Sequence, residues 1–396
     1  MQKMNFEKLK NNCTGCGACI LICPTKSITL KQNQEGFYYI DIHLPTCIHC
    51  KLCEKRCPQN HFVPNHTIQN SYAAIGKNNI RTSKSSSGGI FITIADWIIE
   101  NNGIVFGTIF NKHFEAVQVS AITKKDLIPM QGSKYVQSLT NHVYEDIADS
   151  LNKYKHVLYI GTPCQIAGLY AVLSEIPDHL YTVDLICHGV PSPQLFQNYI
   201  HWLEKQKSQT IKAYSFRNKS IWNRTGYICK IVFQQKTIKW DALQDPYYLS
   251  FLQGINFREC CYKCKYANLN RVGDITIGDL DGIDQVCPDF YPWKAVSTVL
   301  LNSKKARKLW KEVRPFFHYQ KIDIDEESKY NHQLIAPMKR PKERDHYYDH
   351  YNDEHFFQEL IQKNIKKEVF TPKKYIKKWL PVRLKYNIKV FIKKLR

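Results

Sequence analysis

Short apolar runs alternate with helical periodicity along most of the chain after about residue 70. The segments GIVFGTIF, AVQVSAI, HVLYI and TVDLI are rich in β-branched residues and bounded by turn residues, which predicts strands. Ile90, Ile94 and Ile98 lie on one face of a predicted helix that follows SSSGG and ends near Asn101. This alternation predicts an α/β domain with a mixed sheet over residues 71–340.

The first 60 residues carry cysteines in place of this pattern. The run CTGCGACILICP, at 13–24, recurs 34 residues later as CIHCKLCEKRCP, at 47–58. Both read C-x2-C-x2-C-x3-C-P, in which three cysteines hold one 4Fe-4S cluster and the fourth binds the other cluster. The repeat therefore predicts two 4Fe-4S clusters. Their ligands are Cys13, Cys16, Cys19 and Cys57 for one cluster, and Cys47, Cys50, Cys53 and Cys23 for the other.

Zinc and disulfides are the alternatives for these cysteines, but zinc sites use two separated pairs rather than a triplet plus one. Gly15 and Gly17 would let the backbone wrap closely around the sulfurs. The stretch QEGFYYIDI between the runs predicts short strands, and HFVPNHTIQN predicts a polar linker. The fold class is therefore α+β: a bacterial ferredoxin-like dicluster domain at residues 1–60, then the larger α/β domain, then a basic C-terminal tail at 341–396.

A second set of cysteines lies in the larger domain. HVLYI leads into Cys164 and TVDLI leads into Cys187, and the ends of neighbouring strands commonly share a ligand crevice. Downstream, FRECCYKC adds the spaced pair Cys261 and Cys264. Two single cysteines and one such pair can hold a third 4Fe-4S cluster. The alternative is that Cys164 and Cys187 are buried small residues or nucleophiles, and the residues alone leave both open.

Two short loops are candidates for binding an anion. SSSGG, at 85–89, opens a helix whose N-terminal N–H groups favour phosphate, although a serine-capped helix is the commoner explanation. GSKYVQS, at 132–138, combines Lys134 with two hydroxyls. The sequence has neither G-x-G-x-x-G nor a Walker-type loop, so a flavin would be bound in another way.

Composition narrows the class of protein. Hydrophobic residues make up 43% of the 396 positions, which predicts globular structure, and the apolar stretches fall short of the roughly 18 residues that a membrane span requires. The N-terminal residues MQKMNFEKLKNN have no apolar signal core, so we expect a cytoplasmic protein. In that reducing compartment, fifteen cysteines indicate metal ligands or reactive thiols rather than disulfides.

The formal net charge of +21 is concentrated near the C-terminus. Residues 361–396 contain thirteen Lys or Arg and one acid, Glu368, so this stretch carries +12. Its mixture of lysines with Trp379, Leu384 and Phe391 predicts a basic amphipathic segment able to contact an anionic membrane. A solvated helix packed on its own domain is the alternative. Nucleic acid is not favoured because no recognition fold accompanies the charge.

Five stretches in a fixed order together resemble the family of coenzyme F420 hydrogenase/dehydrogenase beta subunits, and the likeness covers roughly residues 1–300. The stretches are SSSGG, GSKYVQS, GTPCQIAGL, DLICHGVPSP and the pair CYKC with RVGDITIGD. The resemblance implies an iron-sulfur flavoprotein with FAD beside a 4Fe-4S cluster held by Cys164, Cys187, Cys261 and Cys264. It implies FAD contacts at Ser86, Ser87, Gly88, Gly89, Lys134 and Gln137. Arg271 and His188 are further candidates for the surroundings of the flavin, where a cation or donor stabilises the reduced ring.

The resemblance predicts an oxidoreductase that passes electrons between FAD and one-electron carriers through the clusters. The stretches GDLDG and YPWKAVS depart from the residues common in the family, so the resemblance supports the flavin and the clusters more than it supports a deazaflavin substrate such as coenzyme F420. We expect a small-molecule redox substrate and a redox partner protein. Two alternatives are an electron-transfer subunit that docks on a partner enzyme and a basic scaffold whose clusters are structural.

Overall fold

The computed structural model describes residues 12–61, 63–140, 142–219, 227–291 and 294–365, together with 380–381, 384–385, 387–388 and 391. In this part of the chain the helices α1 to α13 are Ala18–Ile22, Leu52–Lys55, Asn79–Ser83, Ile90–Glu100, Val143–Ser150, Pro163–Val172, Pro193–Lys207, Pro246–Leu252, Ile283–Val286, Lys304–Val313, Ile324–Ser328, Arg344–Tyr347 and Phe356–Ile365. The strands β1 to β15 are Ile28–Gln32, Tyr38–Ile42, His66–Thr67, Asn70–Gly76, Gly103–Phe110, Ala116–Ala121, His156–Gly161, Leu180–Leu185, Ile211–Ser215, Ile228–Phe233, Thr237–Asp241, Asn270–Arg271, Ile275–Asp279, Ser297–Leu301 and Phe317–Lys321. Short 3-10 helices span Leu44–Thr46, Ala242–Gln244, Glu259–Lys263, Arg314–Phe316 and His332–Leu334.

The N-terminal unit repeats in structure as it does in sequence. Strands β1 and β2 form an antiparallel hairpin, and α1 and α2 begin 34 residues apart, at Ala18 and Leu52. A left-handed residue precedes each helix: Gly17, at φ 79°, and Lys51, at φ 60°. Glycine adopts this conformation without strain, whereas a residue with a side chain pays roughly 1–2 kcal/mol for it. The second copy therefore carries a cost that the first avoids.

An eight-stranded mixed sheet forms the larger domain, in the order β15-β4-β14-β13-β8-β7-β5-β6. The central strands β5, β7, β8 and β13 run parallel, and the flanking strands are antiparallel. The predicted strands GIVFGTIF, AVQVSAI, HVLYI and TVDLI correspond to β5 to β8, and the mixed α/β sheet is confirmed. Parallel strands place their carboxyl ends at one edge, which is where this fold class commonly binds ligands.

Helices at that edge begin where local chemistry sets them. The predicted helix after SSSGG is α4, which starts after left-handed Gly89 and ends at Glu100, next to the predicted stop. Helix α6 starts at Pro163. Thr162 and Gln165 form a capping box, and proline is favoured in a first turn because the free N–H that it lacks is not needed there.

A second, three-stranded antiparallel sheet, in the order β11-β10-β9, packs on α7 and α8 through a core of aromatic residues. Residues 341–365, which the sequence analysis assigned to the tail, contribute Tyr347, Tyr348, Tyr351 and Phe357 to this core. Most of the predicted amphipathic segment beyond residue 365 lies outside the described residues. None of the helices described here is long and apolar enough to cross a membrane.

The segment at 61–70, expected to be a polar linker, contains a short strand. Strand β3 pairs with β12, which joins His66 and Thr67 to Arg271 and Asn270. A two-residue pairing has no periodicity in the sequence, so pattern analysis could not find it. The pairing anchors the chain to the larger domain immediately after the ferredoxin unit.

Candidate functional site

A cleft of about 320 Å³ opens at the carboxyl ends of β7 and β8. One wall is formed by the Ser85–Ser87 loop and the start of α4, and another by the loop at 131–138. Apolar residues such as Met130, Ile160 and Phe251 line much of it. A largely apolar cavity with a few converging polar groups is the usual form of a small-molecule or cofactor site.

Most of the residues predicted to contact FAD meet in this cleft. Its lining includes Ser86, Ser87, Gly89, Lys134, Gln137 and His188. Gly88 is not among the lining residues, because its N–H donates to Ser297 Oγ at 2.9 Å and its Cα faces the backbone of β4. The serines are already ordered, since Ser133 N donates to Ser86 Oγ at 2.8 Å.

Lys134 is held by backbone oxygens at the cleft wall. Its Nζ donates to the carbonyls of Pro129 at 2.7 Å, Gln131 at 3.1 Å and Gly132 at 3.2 Å. Burial lowers the pKa of its ammonium to about 7. An anionic ligand beside this group would favour the charged form and raise that pKa again.

Arg271 lies in β12 and is not among the residues that line the cleft. Its guanidinium donates to Asp184 Oδ1, Thr276 Oγ1 and the Leu185 carbonyl, each at 3.1 Å, and it is 1% exposed. Its charge also favours the thiolate forms of Cys187 and Cys264. Arg271 is therefore close to cysteines rather than to the cleft lumen.

An arginine that no sequence motif marks also lines the cleft. Arg217 pairs with Asp279, with 2.8 Å between Nη1 and Oδ2, and donates to Tyr135 Oη at 3.1 Å. Its guanidinium carbon lies 4.5 Å from the centre of the Tyr227 ring. These residues come from separate parts of the chain and no short motif contains them, so only folding reveals the group.

The far side of the cleft carries buried acids. Burial, and then the charge of Asp279, raise the pKa of Asp281 to about 6. Behind the lining residue Asn331, burial raises the pKa of Glu327 to about 8, and Thr298 Oγ1 donates to this carboxyl. Burial favours the protonated form of a carboxyl, so Glu327 keeps its proton at neutral pH.

Three cleft-lining residues carry a buried polar atom that has no hydrogen-bond partner among the described residues. These atoms are Gln131 Oε1, Tyr248 Oη and Asn331 Oδ1. The amide nitrogen of Gln131 donates to Arg81 O and Ser85 Oγ. A flavin ring is planar and mostly apolar, with one N–H donor and two carbonyl acceptors along one edge. An unpartnered acceptor and hydroxyl in an apolar cleft suit such a ligand, so the residues present fit a flavin.

The four cysteines of the second set converge beside this cleft. Cys164 lies in the first turn of α6 and Cys187 follows β8, and both line the cleft. Burial raises the pKa of Cys164, and the thiols of Cys264 and Cys187 raise it further. The pKa of Cys261 is raised most by its neighbour Cys260, and the charges of Cys187 and Cys264 raise it further. Residues nearly a hundred positions apart are thus brought together at one wall.

The ferredoxin cysteines form two groups, which we name the inner and outer groups. The inner group is Cys13, Cys16, Cys19 and Cys57, and the outer group is Cys23, Cys47, Cys50 and Cys53. Burial raises the pKa of Cys19, and the other inner thiols are among the charges that add to this effect. The outer thiols line one small cavity together. These groupings correspond to the crossed ligand sets expected from the repeat.

Within the described residues, no three His, Cys, Asp or Glu side chains converge closely enough to hold a single metal ion. A cubane does not need such convergence, because each of its four irons takes its own cysteine ligand.

The inner group adjoins the cysteines at the cleft. Cys16 is one of the thiols that raise the pKa of Cys164. A Cβ added to Gly168 of α6 would lie 3.1 Å from Cys16 Cβ, so only glycine allows this approach without displacing a neighbour. Thr140 Oγ1 and Tyr144 Oη donate to the Cys16 carbonyl at 3.2 and 2.8 Å. The order from the cleft outward is therefore second set, inner group, outer group.

Buried arginines hold the ferredoxin unit in this position. Arg258 Nε donates to the Cys13 carbonyl at 2.8 Å, and its Nη1 donates to the Tyr38 carbonyl at 2.8 Å. Gln137 Oε1 accepts from Tyr38 N at 3.0 Å, so this predicted FAD contact also secures the β1–β2 hairpin. Arg344 makes two 2.7 Å bonds to Glu35 in the same hairpin. We call the Arg344–Glu35 pair the clasp.

A dicluster ferredoxin unit fixed against an α/β domain with a cysteine-lined cleft defines an iron-sulfur electron-transfer protein. Two family matches agree with this class. The 4Fe-4S dicluster domain matches residues 12–61, and the family described as the C terminus of the coenzyme F420 hydrogenase/dehydrogenase beta subunit matches residues 154–326. Residues 154–326 therefore carry the C-terminal part typical of coenzyme F420 hydrogenase/dehydrogenase beta subunits, and residues 12–61 carry a 4Fe-4S dicluster domain.

Individual relatives match parts of the chain. The F subunit of F(420)H(2) dehydrogenase from Methanosarcina mazei is 23% identical over 188 residues, 44% of this chain and 53% of that protein. An uncharacterized protein of Methanocaldococcus jannaschii is 24% identical over 205 residues, 43% of this chain and 55% of that protein. The chain thus spans about half the length of these two relatives. Ferredoxin-3 of Nostoc is 33% identical over 70 residues, 14% of this chain and 72% of that protein.

Among solved structures, a chain of the F420-reducing [NiFe] hydrogenase complex from Methanosarcina barkeri is similar, with 16% identity and a TM-score of 0.45. The match covers 77% of this chain and 94% of that one.

Proposed function

We propose that this protein is an iron-sulfur flavoprotein oxidoreductase, in which a two-electron substrate reacts at FAD in the cleft and electrons leave singly through three 4Fe-4S clusters. The observation that carries the proposal is continuity: Cys164 and Cys187 line the cleft, and Cys16 of the inner group lies beside Cys164. A cleft for two-electron chemistry thus adjoins a line of one-electron sites. FAD, when bound, exchanges electrons both singly and in pairs.

FAD would be held by lining residues of the cleft, with Gly88 behind them. These residues are Ser86, Ser87, Gly89, Lys134 and Gln137. Lys134 supplies a cation next to the Ser86–Ser133 hydroxyls, which suits an anionic part of the cofactor. Burial lowers the pKa of His188, so its imidazole is neutral at neutral pH and can donate or accept one hydrogen bond at the cleft. Arg271 would act on the third cluster, since its charge lies near Cys187 and Cys264.

Coenzyme F420 is the substrate we propose to test first, because the relative from Methanosarcina mazei is named for its reduced form. We propose a cytoplasmic location, a redox partner protein at the outer cluster, and peripheral contact of residues 361–396 with anionic membrane, supported by the +12 charge of that stretch. A non-catalytic electron-transfer subunit is the second candidate. The buried attachment of the ferredoxin unit supports it, because a rigid relay of clusters also suits a subunit that docks on a partner enzyme.

The proposal is tested by measuring the iron and flavin content of protein that has been purified without oxygen. We expect about twelve irons and one FAD per chain. Cys187→Ala should lose about four irons, keep the flavin and block reduction of the ferredoxin clusters by reduced F420. Cys287→Ala is the matched control, because Cys287 is a buried cysteine in a separate apolar cluster and should keep all twelve irons. Eight irons without flavin would reject the enzyme and support the electron-transfer subunit.

A further inference from the structure

The surroundings of the outer group differ from the rest of the ferredoxin unit. All fifteen cysteines lie within the described residues, and Cys50 alone among them is exposed. Three large apolar side chains flank it within nine residues: Leu44 is 55% exposed, Ile48 is 63% exposed and Leu52 is 38% exposed. Single exposed apolar residues are ordinary, but three around one redox site form a patch.

Charge surrounds this patch with one dominant sign. We name residues 24–26 and 43–55 the outer-cluster face. It carries Lys26, Lys51 and Lys55 against one acid, Glu54. Thr25, Ile48 and Lys51 line the cavity shared by the outer cysteines, so the two segments meet at the same site. The face therefore combines exposed apolar side chains and lysines with the four outer cysteines.

We propose that the outer-cluster face is the docking surface for an acidic one-electron carrier protein. This inference rests on the proposed function for its direction, because it names the class of partner that receives or supplies the electrons. An acidic surface complements these lysines and speeds the encounter. Contact through the exposed apolar side chains excludes water and shortens the distance to the cluster.

The small size of the patch suits this partner. Electron-transfer encounters fall at the low end of interface areas, and their partners must separate after each electron. A second copy of this chain fits less well, because a two-fold interface would oppose the face with itself and bring lysine against lysine.

The experiment uses the full chain with its clusters, oxidised, and follows bleaching of cluster absorption in a stopped-flow instrument. Reduced plant-type [2Fe-2S] ferredoxin is the acidic probe, and reduced methyl viologen is a small cationic reductant that needs no docking surface. The test variants are Lys26→Glu/Lys55→Glu and Ile48→Ala. Lys236→Glu, an exposed charge reversal between β10 and β11, is the matched control.

We expect the bimolecular rate constant with ferredoxin to fall steeply with added salt. Lys26→Glu/Lys55→Glu should reduce it about tenfold at low salt and flatten the salt dependence. Ile48→Ala should reduce it several-fold at every salt concentration, and Lys236→Glu should leave it unchanged. Methyl viologen should reduce all four proteins at similar rates.

Salt-independent rates that are equal in all variants would overturn the inference. A wild-type dimer that Ile48→Ala converts to a monomer would also overturn it, by assigning the face to a second copy. Failure of the proposed function would look different: ferredoxin would bleach the clusters normally, but no electrons would reach a flavin in the cleft.

Discussion

The inner and outer cysteine groups share one sequence pattern but differ in the surroundings of their sulfurs. Burial raises the pKa of Cys16 in the inner group to about 12. In the outer group burial also raises the pKa of Cys23, but bonds from Thr25 and Ser27 outweigh it and lower the net value. The Thr25 hydroxyl lies 3.6 Å from Cys23 Sγ, and Ser27 N donates to that sulfur at 3.4 Å.

This difference separates what a motif specifies from what its neighbours specify. The C-x2-C-x2-C-x3-C-P run selects ligands through local spacing, so both copies obtain it. Helix α6 and the residues that bind the Cys16 carbonyl lie against the inner group. Burial and hydrogen bonding to sulfur tune cluster potential, so we expect the solvated outer cluster to be the easier one to reduce.

Removing one ligand from each group should have the largest effect. After Cys50→Ala, reduced F420 should still bleach the inner cluster, although transfer to an external ferredoxin should fall by more than about 100-fold. After Cys16→Ala, the outer cluster should stay oxidised under the same conditions. Each variant should lose about four irons. An outer cluster that is still reduced in Cys16→Ala would contradict the order of the path.

Opening the clasp should affect stability next. Arg344→Met leaves the half-buried Glu35 carboxylate without its partner, so it should lower the free energy of unfolding by about 2–3 kcal/mol. Arg344 is 3% exposed and makes both bonds to Glu35. Lys205→Met is the control, since the Lys205–Glu354 pair is exposed on both sides and should leave the thermal midpoint unchanged. Equal midpoints for the two variants would show that the clasp does not hold the ferredoxin unit.

A buried carboxyl near the cleft should make the stability of the protein depend on pH. Glu327 has a folded pKa of about 8, raised from 4.5, so the folded state keeps a proton that the unfolded state loses. Stability should therefore fall as the pH rises from about 4.5 to about 8. Glu327→Gln keeps an acceptor for Thr298, so it should be more stable than the wild type at pH 9 and equally stable at pH 4. Thermal midpoints at both pH values measure this, and a parallel pair of pH profiles would contradict it.

Removing one hydrogen bond at the outer group should have the smallest effect. Thr25→Ala removes the hydroxyl beside Cys23, and a bond of about 1 kcal/mol corresponds to about 40 mV for one electron. We expect the outer-cluster potential to fall by this order in a potentiometric titration followed by electron paramagnetic resonance. The inner cluster in the same sample is the control, and an equal shift in both clusters would indicate a global change.

The sequence predicted what local pattern encodes. Strands β5 to β8, helix α4 and the crossed ligand sets each depend on residues close along the chain or on an exact repeat. Arg217 and Glu327 have no such signal, because distant segments supply their partners. Gln137 was predicted near FAD, and its contact with Tyr38 was invisible because it spans 99 positions. The basic segment beyond residue 365 remains a prediction.

The clasp also bears on how the molecule is made. Glu35 leaves the ribosome before Arg344, which follows 309 residues later. Tyr351 Oη adds a bond to the Gln34 carbonyl at 3.0 Å, again from the late part of the chain. The ferredoxin unit must therefore wait for about 300 further residues before these contacts can secure its hairpin. That interval leaves the inner cysteines open to iron and sulfide, and cluster insertion can precede the closing of the interface that later buries them.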